Sequence, residues 1–169
     1  YVNHARASHG IFGRPVGQFG GGTEPAHAVE TPPVKTVASL NTHDTPTFMS
    51  FWTGADIDDR LDLGSLRPDQ AEQERGHRAA QRASLIGHFG LAAASTDDAA
   101  AAVLRAWLQF LADCPAEFLL INLEDLWLET LPQNVPGTWQ ERPNWQRKAR
   151  FSLEELRALP EFADLLRRI

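Results

Sequence analysis

Cysteine, methionine and tyrosine each occur once in these 169 residues. With Cys114 alone, an intrachain disulfide and a cysteine-rich zinc site are excluded. Cys114 stands between Asp113 and Pro115 at an expected helix end, where a small buried filler is the simple reading. Scarce cysteine suits a reducing cytoplasm. Long apolar runs are missing too, and none approaches the ~18 residues needed to span a bilayer. The first residues, Tyr1-Val2-Asn3, show no basic segment followed by an apolar one, so no signal peptide is read. The absence of an initial Met suits an excised or processed segment. There is no dense Lys/Arg patch, and the net charge is −6. That balance argues against a nucleic-acid partner. His4, His9, His27, His77 and His88 show no metal-ligand spacing, and no His-Glu-x-x-His pattern occurs. Tryptophan, by contrast, is plentiful at five residues. Tryptophans fill cores, and they also stack on sugars.

The length suits one domain with a sizeable core. It falls short of the roughly 250 residues of a complete (β/α)8 barrel. Either the fold is different or part of a barrel is missing. Tyr1 to His9 is expected to be a helix tail closed by Gly10, with a short strand in Ile11 to Phe19. Gly20 to Pro33 reads as a loop, and its Gly-Gly-Gly lacks the context of a phosphate loop. Val37 to Leu40 is a short apolar run suited to a strand buried on both faces. Pro46 to Trp52 turns helical, and Asp56 to Leu66 is short helix and loop. Pro68 to Phe89 is a helix with Pro68 in its first turn and Gly90 past its end. Its early Glu72 and Glu74 and its late Arg78 and Arg82 suit the helix dipole.

Thr96 to Ala112 is the clearest helix. Thr96 is its N-cap, Asp97 and Asp98 lie in its first turn, and Val103, Leu104, Trp107, Leu108 and Leu111 form a stripe. Phe118 to Leu123 is a second buried-strand candidate, ending at Glu124-Asp125. Leu126 to Leu131 is expected to form one helical turn, and Gln133 to Pro143 a loop. Ser152 to Glu155 matches a capping box, and Pro160 starts a last helix carrying Phe162, Leu165 and Leu166. Short buried strands alternating with long helices predict an α/β fold with parallel strands.

Beyond the first strand lies Asn41-Thr42-His43-Asp44, then Thr45-Pro46. A barrel enzyme places polar groups over a sugar ring just beyond such a strand. A carboxylate there stabilises the oxocarbenium-like charge that exists only in the transition state. A His beside it can bond a hydroxyl of the same sugar. The alternative is a turn cap, with Asp44 bonding backbone N–H groups near Pro46. In Asn134-Val135-Pro136-Gly137-Thr138, Pro136 and Gly137 set a tight turn. That turn aims the Asn134 amide at vicinal hydroxyls, or else Asn134 caps backbone. Trp139 and Trp145 either platform a sugar or pack the loop, Trp52 reads as wall or core, and Glu124 and Asp125 as groups that orient their neighbours.

Three stretches together resemble glycoside hydrolase family 77, the 4-α-glucanotransferases or amylomaltases. They are Ser39 to Phe48 (S-L-N-T-H-D-T-P-T-F) followed by Phe51-Trp52, and Ile121 to Trp127 (I-N-L-E-D-L-W). The third is Gln133 to Thr138 (Q-N-V-P-G-T) with Pro143 to Lys148 (P-N-W-Q-R-K). Ile11 to Phe19 is also similar to the family's strand before the His-Asp strand. The resemblance covers most of the chain from about Gly10, in the family's order. It implies that residues 1–169 are the C-terminal portion of a (β/α)8 TIM-type catalytic barrel. It implies a retaining mechanism, with Asp44 as the transition-state stabiliser and His43 and Asn134 binding substrate. The nucleophile and acid/base are expected upstream of Tyr1, in the other half of the same enzyme; Glu24, Glu30, Glu124 and Asp125 match neither role. Substrates would be α-1,4-glucans and maltooligosaccharides, with no metal or organic cofactor and no membrane partner. The isolated chain is expected to be inactive and marginally folded.

Two rival readings carry their own signatures. An α-amylase-type hydrolase also has an Asn-His-Asp-like motif, but the Asn-Val-Pro-Gly-Thr loop argues against it. A stand-alone glucan-binding or interaction domain would explain carboxylates that are not in place.

Overall fold

The computed structural model describes residues 22–92 and 96–168. The expected helix tail before Gly10 and the strand in Ile11 to Phe19 lie outside the described residues, as do the side chains of Thr96, Asp97 and Asp98. Strand β1 (Val37–Ser39) pairs in parallel with β2 (Phe118–Leu120), placing Val37 beside Phe118, Ala38 beside Leu119 and Ser39 beside Leu120. Among the described residues four helices fill the crossover between them: α1 (Phe48–Thr53), α2 (Ala55–Asp62), α3 (Pro68–His88) and α4 (Thr96–Asp113). Parallel strands require such a crossover, because no hairpin can join them.

Helices α1 to α3 are bounded by chemistry visible in the residues. Thr47 caps α1, its hydroxyl accepting from the Ser50 N–H at 3.1 Å. Gly54, at φ +85°, ends α1 and opens α2. That left-handed backbone costs an L-residue roughly 1–2 kcal/mol. Pro68 occupies the first turn of α3, and the Arg67 N–H donates to the Gln70 side chain at 3.1 Å.

The core lies between the strands and the helices. Ala38 and Leu40 meet Phe48, Phe51 and Trp52 of α1, Leu85 of α3, and the Val103, Leu104, Trp107, Leu108 and Leu111 stripe of α4. Phe48 and Trp52 stack at 5.7 Å. Trp52 and Trp107 are thus both core, as expected, and each large apolar side chain buried here contributes roughly 1.5–3 kcal/mol. Arg78 and Arg82 do more than complement a dipole. Arg78 bonds the Phe51 carbonyl and forks onto the buried carboxylate of Asp56 at 2.8 and 3.0 Å. Arg82 bonds the Trp52 carbonyl at 2.6 Å. These cations reach carbonyls at the C-terminal end of α1, the end at which positive charge is favourable.

Two expectations need correction. The second strand is shorter than Phe118 to Leu123 and is not buried: Phe118 is 49% and Leu120 59% exposed. Alternation explains this, since Leu119 faces the core while its neighbours face the side that no described element covers. The helical turn sits earlier than Leu126 to Leu131, as a 3₁₀ turn over Leu123–Trp127. The Asn122 side chain starts it by accepting from the Glu124 N–H, and Leu128, at φ +56°, ends it. Beyond it, α5 (Leu153–Ala158) carries the Ser152/Glu155 capping box, and α6 (Pro160–Arg168) follows. Phe162 of α6 packs with Trp127 and Phe151 in a small aromatic cluster. Cys114 is half-buried, its thiol on the Leu111 carbonyl at 2.7 Å.

Candidate active site

The loop leaving β1 is shaped by its threonines. The Thr42 N–H donates to the Thr45 hydroxyl at 2.9 Å, and that hydroxyl donates back to the Thr42 carbonyl at 3.0 Å. The turn is closed without the Asp44 carboxylate, which faces outward. Asp44 Oδ1 accepts from Asn134 Nδ2 at 2.7 Å, and Asp44 Oδ2 lies 3.3 Å from His43 Nε2. His43 and Asp44 are 63% and 55% exposed. Residues ninety positions apart thus meet at one point. All three residues singled out in the sequence stand together, beyond the carboxyl ends of the two parallel strands.

The partner loop carries the Asn134 amide. Pro136 and Gly137 are the corner of a turn, with Gly137 at φ +85° and the Thr138 N–H on the Val135 carbonyl at 3.2 Å. This is the pattern of a type II turn, which needs φ > 0 at its third position. Capping of this loop's backbone falls to Asn144, not Asn134. Asn144 Oδ1 accepts from the Val135 N–H at 2.9 Å, and its Nδ2 donates to the Thr138 carbonyl at 3.0 Å. Asn134 is therefore left to reach Asp44. Trp145 is exposed, adopts φ +60° with its N–H on the Gln133 carbonyl at 2.8 Å, and sits 5.4 Å from the His43 ring. It does not bury itself as a packing residue, and Trp139 is still more exposed. Arg142 fastens the loop to α2 through Asp59 at 2.7 Å and Asp62 at 2.6 Å.

Both loops are bonded to the acidic pair on the 3₁₀ turn that follows β2. Asp125, 1% exposed, accepts from Asn41 Nδ2 at 2.6 Å and from the Phe48 N–H at 2.7 Å. Burial pushes its carboxyl up to about 6, against the lowering pull of those two bonds, and the nearby Glu124 charge adds to the rise. Glu124 accepts from Gln133 Nε2 at 2.9 Å and from Arg147 Nη2 at 2.6 Å. Asn41 is the member of this network that the sequence reading missed. Its signal was its place two residues beyond the first strand, at the start of the Asn-Thr-His-Asp run.

Chemically, the outer cluster offers a carboxylate held by one neutral donor, an imidazole and an aromatic ring, all open to solvent. That set suits hydroxyl-rich, uncharged ligands. Among the described residues no group of three or more His, Cys, Asp or Glu side chains could hold a metal, and no helix is long and apolar enough to cross a membrane.

Polar groups gathered beyond the carboxyl ends of parallel strands are the arrangement of an α/β enzyme. A sequence model of the 4-alpha-glucanotransferase family matches residues 1–154, and the chain belongs to that family. It is 36% identical over 113 residues to the 4-alpha-glucanotransferase of Mycobacterium tuberculosis, a stretch covering 65% of this chain and 16% of that protein. It is 26% identical over 125 residues to the 4-alpha-glucanotransferase of Haemophilus influenzae, covering 69% and 18% respectively. Its fold matches that of the amylomaltase of Corynebacterium glutamicum with a TM-score of 0.74 at 22% identity, over 99% of this chain and 26% of that one. The chain thus spans about a quarter or less of the length of these relatives.

Proposed function

We propose that residues 1–169 form the C-terminal portion of a (β/α)8 barrel in a 4-α-glucanotransferase. The enzyme cleaves an α-1,4 linkage in a maltooligosaccharide, starch or glycogen chain and passes the glucan to the 4-hydroxyl of another sugar. It retains configuration through a covalent glucosyl-enzyme. A cytoplasmic setting fits a chain with a single cysteine. The observation that carries the reading is the Asp44–Asn134 contact at the strand ends, with His43 beside it.

Asp44 stabilises the positive charge that develops on the donor sugar, an interaction stronger in the transition state than in the ground state. His43 and Asn134 bond ring hydroxyls and orient the sugar. The nucleophile and the acid/base come from other segments of the enzyme. Glu124 and Asp125, on the 3₁₀ turn that follows β2, are already engaged by loop donors, which suits them poorly for either role. The isolated chain is accordingly expected to be inactive and marginally folded, and glucan binding by it without turnover would instead favour a stand-alone binding domain.

The test is Asp44→Asn in the intact enzyme, read as a maltotriose product ladder. The expected loss is about 2.7–4 kcal/mol of transition-state stabilisation, the scale of one preorganised electrostatic group. Near-normal turnover would remove Asp44 from this role. Release of reducing ends without chain transfer would make the enzyme a hydrolase instead. A ladder from the 169-residue chain itself would mean that one of its own carboxylates is the nucleophile.

A further inference from the structure

We propose that Glu124 and Asp125 are a pair of positioning residues, each holding one of the two loops whose tips meet at Asp44 and Asn134. The inference rests on the catalytic reading of Asp44. Asp125 bonds the Asn41 side chain and the Phe48 N–H, the two ends of the segment that presents His43 and Asp44. Glu124 bonds Gln133 and Arg147, and Arg147 also donates to the Leu131 carbonyl at 2.6 Å and lies 3.3 Å from Glu129. These contacts bracket the segment that presents Asn134, Asn144 and Trp145.

The two acids are adjacent on one 3₁₀ turn, so a single peptide unit sets the spacing between the loops. The turn is itself tied down. The Asn122 side chain holds the Glu124 N–H at 3.2 Å, the Glu129 N–H reaches the Glu124 carbonyl at 3.1 Å, and the Thr47 hydroxyl bonds the Glu129 carbonyl. An ionised carboxylate accepts hydrogen bonds at both oxygens and donates none, so it can gather two donors from a loop. Both acids are buried, whereas Asp44 is about half exposed. Their effect reaches the substrate only through the geometry of Asp44 and Asn134.

Asparagine at position 125 is the informative replacement. Its oxygen can keep the Phe48 N–H. Its amide can donate to Asn41 if the Asn41 amide turns over, and Asn41 Oδ1 has no present partner to lose. Alanine keeps neither bond.

The experiment measures kcat and KM for maltotriose disproportionation in the intact enzyme, for Asp125→Ala, Asp125→Asn, Glu124→Ala and Glu124→Gln, with Asp44→Asn alongside. Thermal melting serves as the folding control. The expected result is a kcat loss of about 100-fold in each folded alanine variant, the scale of a 1 Å misplacement. KM changes far less, and Asp125→Asn restores kcat to within about tenfold of the parent, the remainder of that loss. If Asp125→Ala does not fold, Glu124→Gln, which keeps an acceptor oxygen but loses the charge holding Arg147, carries the test with a smaller kcat loss of the same kind. Folded alanine variants with unchanged kcat, or a loss that appears only as reduced melting temperature and that asparagine does not restore, overturn the proposal. If Asp44→Asn itself turns over normally, the catalytic reading fails. If Asp44→Asn is impaired while both alanine variants keep kcat, only the positioning role fails.

Discussion

Replacing Asp125 with asparagine should change how stability depends on pH, in a direction that the structure sets. The carboxyl is pushed from 3.8 to about 6, first by burial, opposed by the Phe48 and Asn41 hydrogen bonds and reinforced by Glu124. The folded state therefore holds this proton more tightly than the unfolded chain. The proton's stabilisation is fully present below about 3.8 and is lost as pH rises through about 6. A shift of that size corresponds to about 3 kcal/mol at 1.36 kcal/mol per unit, an order of magnitude for a buried acid. Asparagine has no proton to lose. Relative to the parent, Asp125→Asn should be about equally stable near pH 3.5 and should gain up to about 3 kcal/mol by pH 7. Asp69, Glu141 and Glu155 act in the opposite sense, because hydrogen bonds hold their carboxyls below the usual range. Their stabilisation is lost as pH falls, but it is common to both proteins and cancels in the difference. Urea unfolding followed by tryptophan fluorescence at several pH values gives that difference, and the Asp125 carboxyl carbon resonance gives the midpoint directly. A stability difference that stays flat from pH 4 to pH 7, or grows toward acid, would refute the reasoning.

Gly54→Val should lower stability by at least the roughly 1–2 kcal/mol that left-handed backbone costs an L-residue, since Gly54 at φ +85° joins α1 to α2. Urea unfolding reads the loss, and Gly76→Ala, at an open helical position where the added carbon meets nothing within 4 Å outside its own stretch of helix, should not destabilise at all. Asp56→Ala leaves Arg78 mostly buried without its carboxylate partner and should cost about 3 kcal/mol, with the Phe51 carbonyl and ring contacts limiting the damage. Asp56→Ala with parental stability would show that the pair is dispensable.

The elements legible in the residues were those decided locally. Gly90 at φ +62° ends α3, Ser152 caps α5, and the Val103-to-Leu111 stripe faces the core. The two strands were legible as apolar runs, but not the exposure of Phe118 and Leu120, which depends on what covers the sheet rather than on the run itself. The 3₁₀ turn was misplaced because Leu126, Trp127 and Leu131 look helical, while the Asn122 side chain and the left-handed Leu128 decide the boundary. Asp44, His43 and Asn134 could be named, but their meeting could not. Nor could the Asn41–Asp125 bond, whose partners lie 84 residues apart. Two asparagines in one loop look alike in sequence. Only the fold separates Asn144, which laces the backbone, from Asn134, which is left for Asp44.

That a neutral amide, not a cation, holds Asp44 bears on how the carboxylate acts. On the role proposed for Asp44, an arginine in the place of Asn134 would orient the carboxylate but also cancel the negative field that a developing oxocarbenium charge would need. The amide orients one oxygen and leaves the charge in place. Two substitutions separate orientation from charge. Asn134→Ala keeps the charge and removes the donor. Asp44 is about half exposed, so the loss is screened and should be about 1 kcal/mol, or roughly fivefold in kcat/KM. Asn134→Asp instead sets a second carboxylate where the amide lies 2.7 Å from Asp44. Two acids that close cannot both ionise readily, so one is held protonated to higher pH and the charge on Asp44 is diluted. Activity should then fall below that of the alanine variant at neutral pH and recover as pH rises. Maltotriose transfer measured across pH on the intact enzyme decides it. An aspartate variant equal to or better than alanine, with an unchanged pH profile, would mean that the charge on Asp44 is not what the reaction uses.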